Sequence, residues 1–181
     1  MSAPELPFFV YGTLRPGEVN HDLLLRGRTL REEPARLSGA VLYQGPGYPY
    51  AVEEPGGTVA GELVTPLPRA YARLLAELDR LEEYVPGDPR NLYERVEREV
   101  AVTGDGDGDG DEDQDGDEDQ DGDEDRDGSE DRDGSEDGDG AVLRGGVRPV
   151  RAWVYVAAPA VADRLRARGK LIESGDWHTR R

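Results

Sequence analysis

The side chain best placed for proton transfer is a glutamate on the apolar side of a predicted helix. Apolar residues recur at helical spacing over 71–81, and Glu82 falls inside the stripe that they form, whereas Glu83 falls outside it. A carboxylate that faces the core is rare unless it is paired, and desolvation would raise its pKa toward neutrality. Glu82 is therefore the candidate acid–base group. A structural ion pair, or a frayed helix end that exposes Glu82 to water, would explain the same pattern without catalysis.

A second group of residues could bind an anion or a carbonyl oxygen through the backbone. The pentapeptide Tyr11–Arg15 (YGTLR) directly follows the short apolar run Pro7–Val10, which is typical of a strand. Gly12 has no Cβ, so the chain can turn sharply there with a positive φ and approach a bound group closely. Backbone N–H groups of Thr13 and Leu14 would then point at that group. An ordinary turn with no ligand is the simpler interpretation.

These residues need a scaffold, which the rest of the sequence outlines. Thr65 and Pro66 have the residue types of a helix N-cap and a first helical position, and Pro86-Gly87 would end that helix. A second helix is predicted near Pro159–Arg168. Two helices combined with several strands predict an α+β fold. Short strands are predicted at 8–11, 37–43, 59–64, 94–102 and 147–156.

Almost all of the net charge of −18 lies in one low-complexity segment, residues 104–140. This acidic segment holds 21 acidic and two basic residues, contains no apolar side chain and repeats with a six-residue period. It is predicted to be disordered, because nothing in it can be buried to offset the entropy lost on ordering. Since a predicted strand lies on each side, the segment would be a greatly lengthened hairpin loop.

The acidic segment also begins like a calcium-binding loop, with the pattern DxDxDG. In an EF-hand a glutamate follows the glycine at a fixed distance, but here another glycine occupies that position each time. A solvated spacer is therefore favoured over a specific Ca²⁺ site.

Composition excludes several other kinds of site. The chain has no cysteine, so it has no disulfide, thiol nucleophile or Cys-ligated metal. His21 and His178 are the only histidines, and they do not have the spacing of a zinc site or a catalytic triad. Outside the acidic segment the chain is nearly neutral, which gives no support for nucleic-acid or membrane binding. No apolar run approaches the length of a membrane span, so a soluble cytoplasmic protein is expected.

Four short motifs, in this order, resemble the gamma-glutamylcyclotransferase family. They are YGTLR at 11–15, LDRLE at 78–82, YER at 93–95 and the aromatic strand WVY at 153–155. The resemblance covers residues 7–102 and 147–178. It implies a small mixed β-barrel flanked by helices, in a single domain over 1–181 that the acidic segment interrupts. It also implies that no cofactor is needed.

The resemblance further implies a reaction and roles for particular residues. The family releases an amine from a γ-glutamyl compound, as the substrate's own α-amine attacks the γ-carbonyl to form 5-oxoproline. Glu82 would be the catalytic general acid and base, and the backbone of Tyr11–Leu14 would bind the substrate's carboxylate or the oxyanion. The hydroxyls of Tyr93 and Tyr155 would contact the small-molecule substrate, with packing as the alternative role.

Several questions stay open at the level of sequence. A binding or interaction protein on the same scaffold, with the acidic segment as a cation- or partner-binding element, is the competing function, although such a protein would have no use for a buried Glu82. Tyr48–Tyr50 could line a pocket or form a packed turn. Gly175–Trp177 resembles the family's tail near the pocket. The leaving amine and the oligomeric state cannot be read from the sequence.

Overall fold

A computed structural model of the protein describes residues 4–104 and 146–180, which belong to one compact unit. The predicted disorder of the acidic segment falls on residues outside this description, apart from the exposed Gly104. The α+β prediction is confirmed. Among the described residues, neither helix combines the length and apolar character needed to cross a bilayer. The elements are β1 (Phe8–Val10), β2 (Thr29–Gln44), β3 (Pro49–Pro66), α1 (Tyr71–Leu81), β4 (Tyr93–Thr103), β5 (Val147–Ala157), α2 (Pro159–Arg168) and β6 (Lys170–Ile172).

The strands form one mixed sheet whose pairings return to their starting point. The order is β3-β1-β5-β4-β2-β6, and β2 also pairs with β3. Strand β1 is parallel to β5, whereas all the other pairs are antiparallel. Five strands therefore form a closed ring of hydrogen-bonded neighbours, with β6 added outside it on β2. A closed ring of pairings leaves few free strand edges.

Alternate residues of β1 face two different parts of the core, as the two-residue period of a strand requires. Phe9 packs in a cluster made almost entirely by strand side chains. Phe8 and Val10 pack in a second cluster that includes α1, and the Phe8 ring lies 5.7 Å from the ring of Tyr71. Both clusters are buried. This two-sided packing fixes the C-terminal end of β1 beside α1.

The long helix begins later than the sequence predicted. Strand β3 continues through Pro66, because Thr65 pairs with Arg31 and Pro66 with Thr29 on β2. A single 3₁₀ turn follows at Pro68–Ala70, and α1 starts only at Tyr71. The N-cap assigned to Thr65 is therefore wrong. Cross-strand hydrogen bonds outweighed a local helix-start preference, which contributes only about 1 kcal/mol.

The same helix also ends earlier than predicted. Its last residue is Leu81, and Glu82 is the C-cap with φ −84° and ψ 2°. Glu83 then has a φ of 52°, in the left-handed region that few residues other than glycine adopt. The chain thus leaves the helix five residues before Pro86. Glu82 itself still makes the helical hydrogen bond, because its N–H donates to the Leu78 carbonyl.

The two strands that flank the acidic segment pair with each other, as predicted. The antiparallel register runs from Tyr93 opposite Ala157 to Thr103 opposite Val147. Strands β2 and β3 are longer than predicted, and β6 and the short π-helical turn at His21–Leu25 were missed. The second helix has the predicted bounds, Pro159–Arg168.

Deleting residues 105–145 should leave this fold intact. Gly104 would be joined to Gly146, which gives a two-residue Gly-Gly loop directly beyond the Thr103–Val147 pair. Such loops accept the positive φ values of a tight hairpin turn. Each halving of loop length also returns about 0.6 kcal/mol of closure entropy. We expect an unfolding midpoint equal to or above that of the full chain in thermal denaturation.

The contrary result would be loss of cooperative unfolding on deletion, or stabilisation of the full chain alone by millimolar Ca²⁺. Either would mean that the acidic segment contributes to the folded state.

Candidate functional site

A cavity of about 470 Å³ opens where the end of β1, the end of α1 and the facing ends of β4 and β5 meet. Its wall brings together residues from all four of the sequence motifs, which lie far apart along the chain. The residues predicted for the site all line this cavity: Tyr11, Gly12, Thr13, Leu14, Glu82, Tyr93 and Tyr155. Tyr48 and Pro49 line it too, so the pocket interpretation of Tyr48–Tyr50 applies to two of its three residues.

Glu82 is the titratable group that stands out in the cavity. Its backbone N–H caps α1 by donating to the Leu78 carbonyl at 3.0 Å, and its side chain is half-buried. Within residues 4–104 and 146–180, no side chain or N–H group donates a hydrogen bond to the Glu82 carboxylate. Burial raises the pKa of Glu82 to about 7. Glu83 also lines the cavity but is exposed. The two glutamates therefore differ in burial and not in whether they reach the cavity.

The hydroxyls of two buried tyrosines in the cavity wall donate hydrogen bonds to backbone carbonyls. The Tyr11 hydroxyl donates to the Tyr155 carbonyl at 2.5 Å and accepts from the Ala51 N–H at 3.2 Å. The Tyr93 hydroxyl donates to the Pro49 carbonyl at 2.8 Å. Burial raises the pKa of Tyr11 and Tyr93 above the ordinary value, and nearby negative charge raises both further. Both hydroxyls therefore stay protonated.

The third tyrosine is bound to an ion pair that the sequence analysis did not single out. The Tyr155 hydroxyl donates to Oδ1 of Asp79 at 2.7 Å, and Arg95 Nη1 lies 2.8 and 3.0 Å from the two Asp79 oxygens. The Arg95 guanidinium lies over the rings of Tyr84 and Trp153, 5.3 and 5.0 Å from their centroids. Asp79 and Arg95 belong to the LDRLE and YER motifs, but only the packing of β4 beside α1 reveals that they meet.

The loop after β1 presents unpaired backbone donors to the cavity. Within the described residues, the N–H groups of Gly12, Thr13 and Leu14 donate no hydrogen bond. Asn20, which also lines the cavity and gave no sequence signal, donates from Nδ2 to the Thr13 hydroxyl at 2.8 Å. Successive free N–H groups of this kind form an anion-binding concavity.

Gly12 allows a close approach here, but the neighbouring group is Pro49. Its φ is not positive, so a left-handed turn is not the reason for the glycine. A Cβ at this position would instead lie 2.7 Å from Cδ and 2.8 Å from Cγ of Pro49. The constraint is steric, because β3 begins directly against the loop.

Arg15, the last residue of YGTLR, anchors the loop to two distant parts of the chain. Its Nε and Nη2 atoms lie 2.7 and 2.9 Å from the carboxylate of Glu62 on β3, and its Nη1 atom lies 2.6 Å from Asp176. Arg15 is buried. The Gly175 carbonyl accepts from the Ala60 N–H at 2.8 Å. The segment Gly175–Trp177 is thus fixed next to the loop, as its resemblance to the family's tail implies.

The histidines lie apart from the cavity. His21 Nε2 is 2.8 Å from Glu32, and His178 Nε2 is 3.4 Å from Glu18. In the part of the chain that the structure describes, no three His, Asp or Glu side chains are grouped as a metal ion would require.

Comparison with known proteins agrees with this arrangement. A family model described as gamma-glutamyl cyclotransferase, AIG2-like, matches residues 8–114. The chain belongs to this family. The match includes the loop after β1, α1 with Glu82, and β4, so it covers most of the cavity wall.

Individual relatives are similar in sequence to this AIG2-like chain over part of their length. The gamma-L-glutamyl-butirosin B gamma-glutamyl cyclotransferase of Niallia circulans is 41% identical over 97 residues, which are 53% of this chain and 58% of that protein. A protein of Halalkalibacterium halodurans is 37% identical over 73 residues, 40% of this chain and 62% of that protein. The chain thus matches about three fifths of the length of these curated relatives. A solution structure from Arabidopsis thaliana shares the fold, with a TM-score of 0.50 and 23% identity over 94% of this chain and 72% of that one.

Substitution of Gly12 by alanine should strain the cavity wall. The added Cβ would clash with the Pro49 ring, and overpacking of this kind costs about 1–3 kcal/mol in the free energy of unfolding. Gly104→Ala is the matched control, because a Cβ there meets nothing within 4 Å. Pro49→Ala removes the clashing atoms and should rescue Gly12→Ala in a double-mutant cycle measured by denaturant unfolding. Equal stability of the two single glycine variants would contradict the close approach.

The raised pKa of Glu82 should also be visible in stability. Because folding raises this pKa from 4.5 to about 7, the ionised form destabilises the folded state, and the parent loses stability as pH rises through this range. Glu82→Gln, which stays neutral, should be more stable than the parent by on the order of 1–3 kcal/mol at about pH 8, and nearly equal to it at about pH 4.5.

Glu83→Gln, measured by the same denaturant titrations, should stay within about 0.5 kcal/mol of the parent at both pH values, as exposed substitutions usually do. A Glu82→Gln difference that does not change with pH would show that Glu82 is not desolvated.

Proposed function

We propose that this protein is a γ-glutamyl cyclotransferase, which converts a γ-glutamyl amine into 5-oxoproline and the free amine. The observation that carries the proposal is the half-buried Glu82, with a pKa of about 7, in one cavity with the free N–H groups of the Gly12–Leu14 loop. The relative from Niallia circulans, whose name gives this type of activity, supports it.

The cavity supplies groups for each step of this reaction. The substrate's α-amine, after losing a proton to Glu82, would attack the γ-carbonyl carbon and form the new C–N bond of a five-membered ring. The ring nitrogen of the tetrahedral intermediate would then release its extra proton to solvent. Collapse would break the original amide C–N bond, and Glu82 would return its proton to the departing amine. No protein nucleophile is needed, and holding the substrate in a folded conformation supplies much of the acceleration.

The loop after β1 would stabilise negative charge on the substrate. The N–H groups of Gly12, Thr13 and Leu14 have no other partner among the described residues, so they can bind the α-carboxylate or the oxyanion at no loss of internal hydrogen bonds. The ion pairs of Arg15 with Glu62 and Asp176 would hold these donors in place before the substrate arrives.

The charge of the cavity favours an amine as the leaving group over an amino acid. The lining residues include Glu82 and Glu83 but no lysine, arginine or histidine within the described chain. A second carboxylate on the leaving group would therefore find no cation and would be repelled. A neutral or cationic amine would be accepted, and the relative's γ-glutamyl-butirosin substrate, by its name, agrees with a leaving group other than a simple amino acid.

Glu82→Gln should reduce turnover by about 10²–10⁴-fold, because glutamine keeps the shape of the side chain but cannot carry a proton. The assay measures 5-oxoproline released from a γ-glutamyl alkylamine, with Glu83→Gln as the control that removes the neighbouring carboxylate. The assignment fails if Glu82→Gln keeps near-full activity while Glu83→Gln loses it.

The pH dependence of turnover should follow the ionisation of Glu82. As a base it must be ionised, so kcat/KM should fall about tenfold per pH unit below about 7. Glu83 and the tyrosines Tyr11, Tyr93 and Tyr155 also line the cavity, but the tyrosines have pKa values raised above the ordinary value and stay neutral in this range. An acidic limb centred near pH 4.5 in a kcat/KM profile would contradict the role of burial.

A further inference from the structure

We propose that Asp79, held by Arg95, accepts the hydrogen bond donated by the Tyr155 hydroxyl, so that Tyr155 presents oxygen lone pairs to the α-ammonium group of the substrate. Tyr155 would thus be an acceptor for the substrate's cationic end, and Asp79 and Arg95 would be positioning residues. The inference rests on the proposed function for the identity of the ligand, a γ-glutamyl group.

The chemistry of the two groups fixes the direction of the hydrogen bond between Tyr155 and Asp79. A tyrosine hydroxyl has a single proton, and a carboxylate has only acceptor atoms. The Tyr155 hydroxyl lies 2.7 Å from Asp79 Oδ1, so its O–H bond points at Asp79. Only lone pairs of the Tyr155 oxygen remain for a ligand in the cavity that Tyr155 lines.

Arg95 holds Asp79 in place as the acceptor. Arg95 Nη1 contacts both carboxylate oxygens, at 2.8 and 3.0 Å, and the guanidinium also lies over the rings of Tyr84 and Trp153. Both partners are mostly buried, with side chains 14% and 23% exposed. A planar guanidinium that contacts aromatic rings and both carboxylate oxygens orients that carboxylate toward Tyr155.

Hydrogen-bond donors and acceptors lie on different parts of the cavity wall. The Tyr93 hydroxyl donates its hydrogen bond to the Pro49 carbonyl, so its oxygen also offers only lone pairs to a ligand. Together with Glu82 these oxygens make one part of the wall an acceptor surface, while the Gly12–Leu14 loop supplies N–H donors. A glutamyl group has an ammonium and a carboxylate on one carbon. A wall with acceptors on one part and N–H donors on another favours one orientation of these two groups.

The test compares two ligands that differ only in the ammonium group. L-Glutamine has the carboxylate, the γ-amide and the α-ammonium, whereas 4-carbamoylbutanoate lacks the ammonium. Calorimetric titration of the parent should give at least tenfold tighter binding of L-glutamine, as expected for a charge-assisted hydrogen bond. In Tyr155→Phe this ratio should fall to about threefold or less, with binding of 4-carbamoylbutanoate within about twofold of the parent.

Asp79→Asn should reduce the ratio as well. Arg95 would hold the oxygen of the new amide, the amide N–H would face Tyr155, and the Tyr155 proton would turn into the cavity. Asp88→Asn is the matched control, since Asp88 is also paired with an arginine, Arg90 at 2.7 Å, and has a side chain 19% exposed, but does not line the cavity. Asp88→Asn should keep the parent's ratio of affinities for L-glutamine and 4-carbamoylbutanoate.

Either of two results would overturn the proposal: a parent ratio near one, or equal weakening of both ligands in Tyr155→Phe, which would indicate packing alone. Tyr155→Phe keeps the ion pair, so it decides the matter if Asp79→Asn does not fold. Release of 5-oxoproline from a γ-glutamyl alkylamine is measured separately. Discrimination without release would refute the proposed reaction and leave this inference standing, whereas release without discrimination would do the reverse.

Discussion

A carboxylate without a hydrogen-bond donor is the constraint on which this cavity depends. Glu82 is half-buried and accepts no hydrogen bond from the described residues, although buried tyrosine hydroxyls belong to the same cavity wall. Those of Tyr11, Tyr93 and Tyr155 all donate elsewhere. A donor turned toward Glu82 would stabilise its charged form and lower its pKa. The outward direction of these protons therefore keeps Glu82 basic enough to exchange a proton near neutral pH.

The fold brings the site residues together at the ends of separate strands and of one helix, and they do not form a continuous sequence motif. β1 ends at the loop that carries the free N–H groups, α1 ends at Glu82, and β4 begins at Tyr93. These ends meet because β1 and α1 pack in one cluster. Arg15 then binds the loop to β3 and to the C-terminal segment. An ionised, poorly solvated glutamate destabilises the folded state, so this surrounding packing has to compensate for it.

The sequence predicted the individual pieces better than their junctions. Apolar alternation located the strands around 94–102 and 147–156, and helical spacing placed Glu82 toward the core. The wheel argument reached the right residue although Glu82 is the C-cap, because one residue past the last turn still points in nearly the same direction. The start at Thr65 was wrong because pairing with β2 depends on a segment more than thirty residues away, which no local signal contains.

Residues that act through partners were beyond a reading of the sequence alone. Asp79 and Arg95 lie within the LDRLE and YER motifs, but no pattern in the sequence indicates that they meet. Their ion pair exists because β4 crosses beside the end of α1, and this is a property of the closed ring of strands. The need for a glycine at position 12 was predicted, but the neighbour that imposes it, Pro49, lies on a strand that no local signal connects to the loop.

The most direct test of this account is the pKa of the Glu82 carboxyl itself. Glutamate labelled with carbon-13 at the side-chain carboxyl would be followed by NMR as the pH is changed, and the Glu82 signal identified by its absence in Glu82→Gln. The account predicts a carboxyl that titrates near pH 7, well above the ordinary value of 4.5. Titration at about 4–5 would show that Glu82 is solvated or receives a hydrogen bond, and would contradict the central claim.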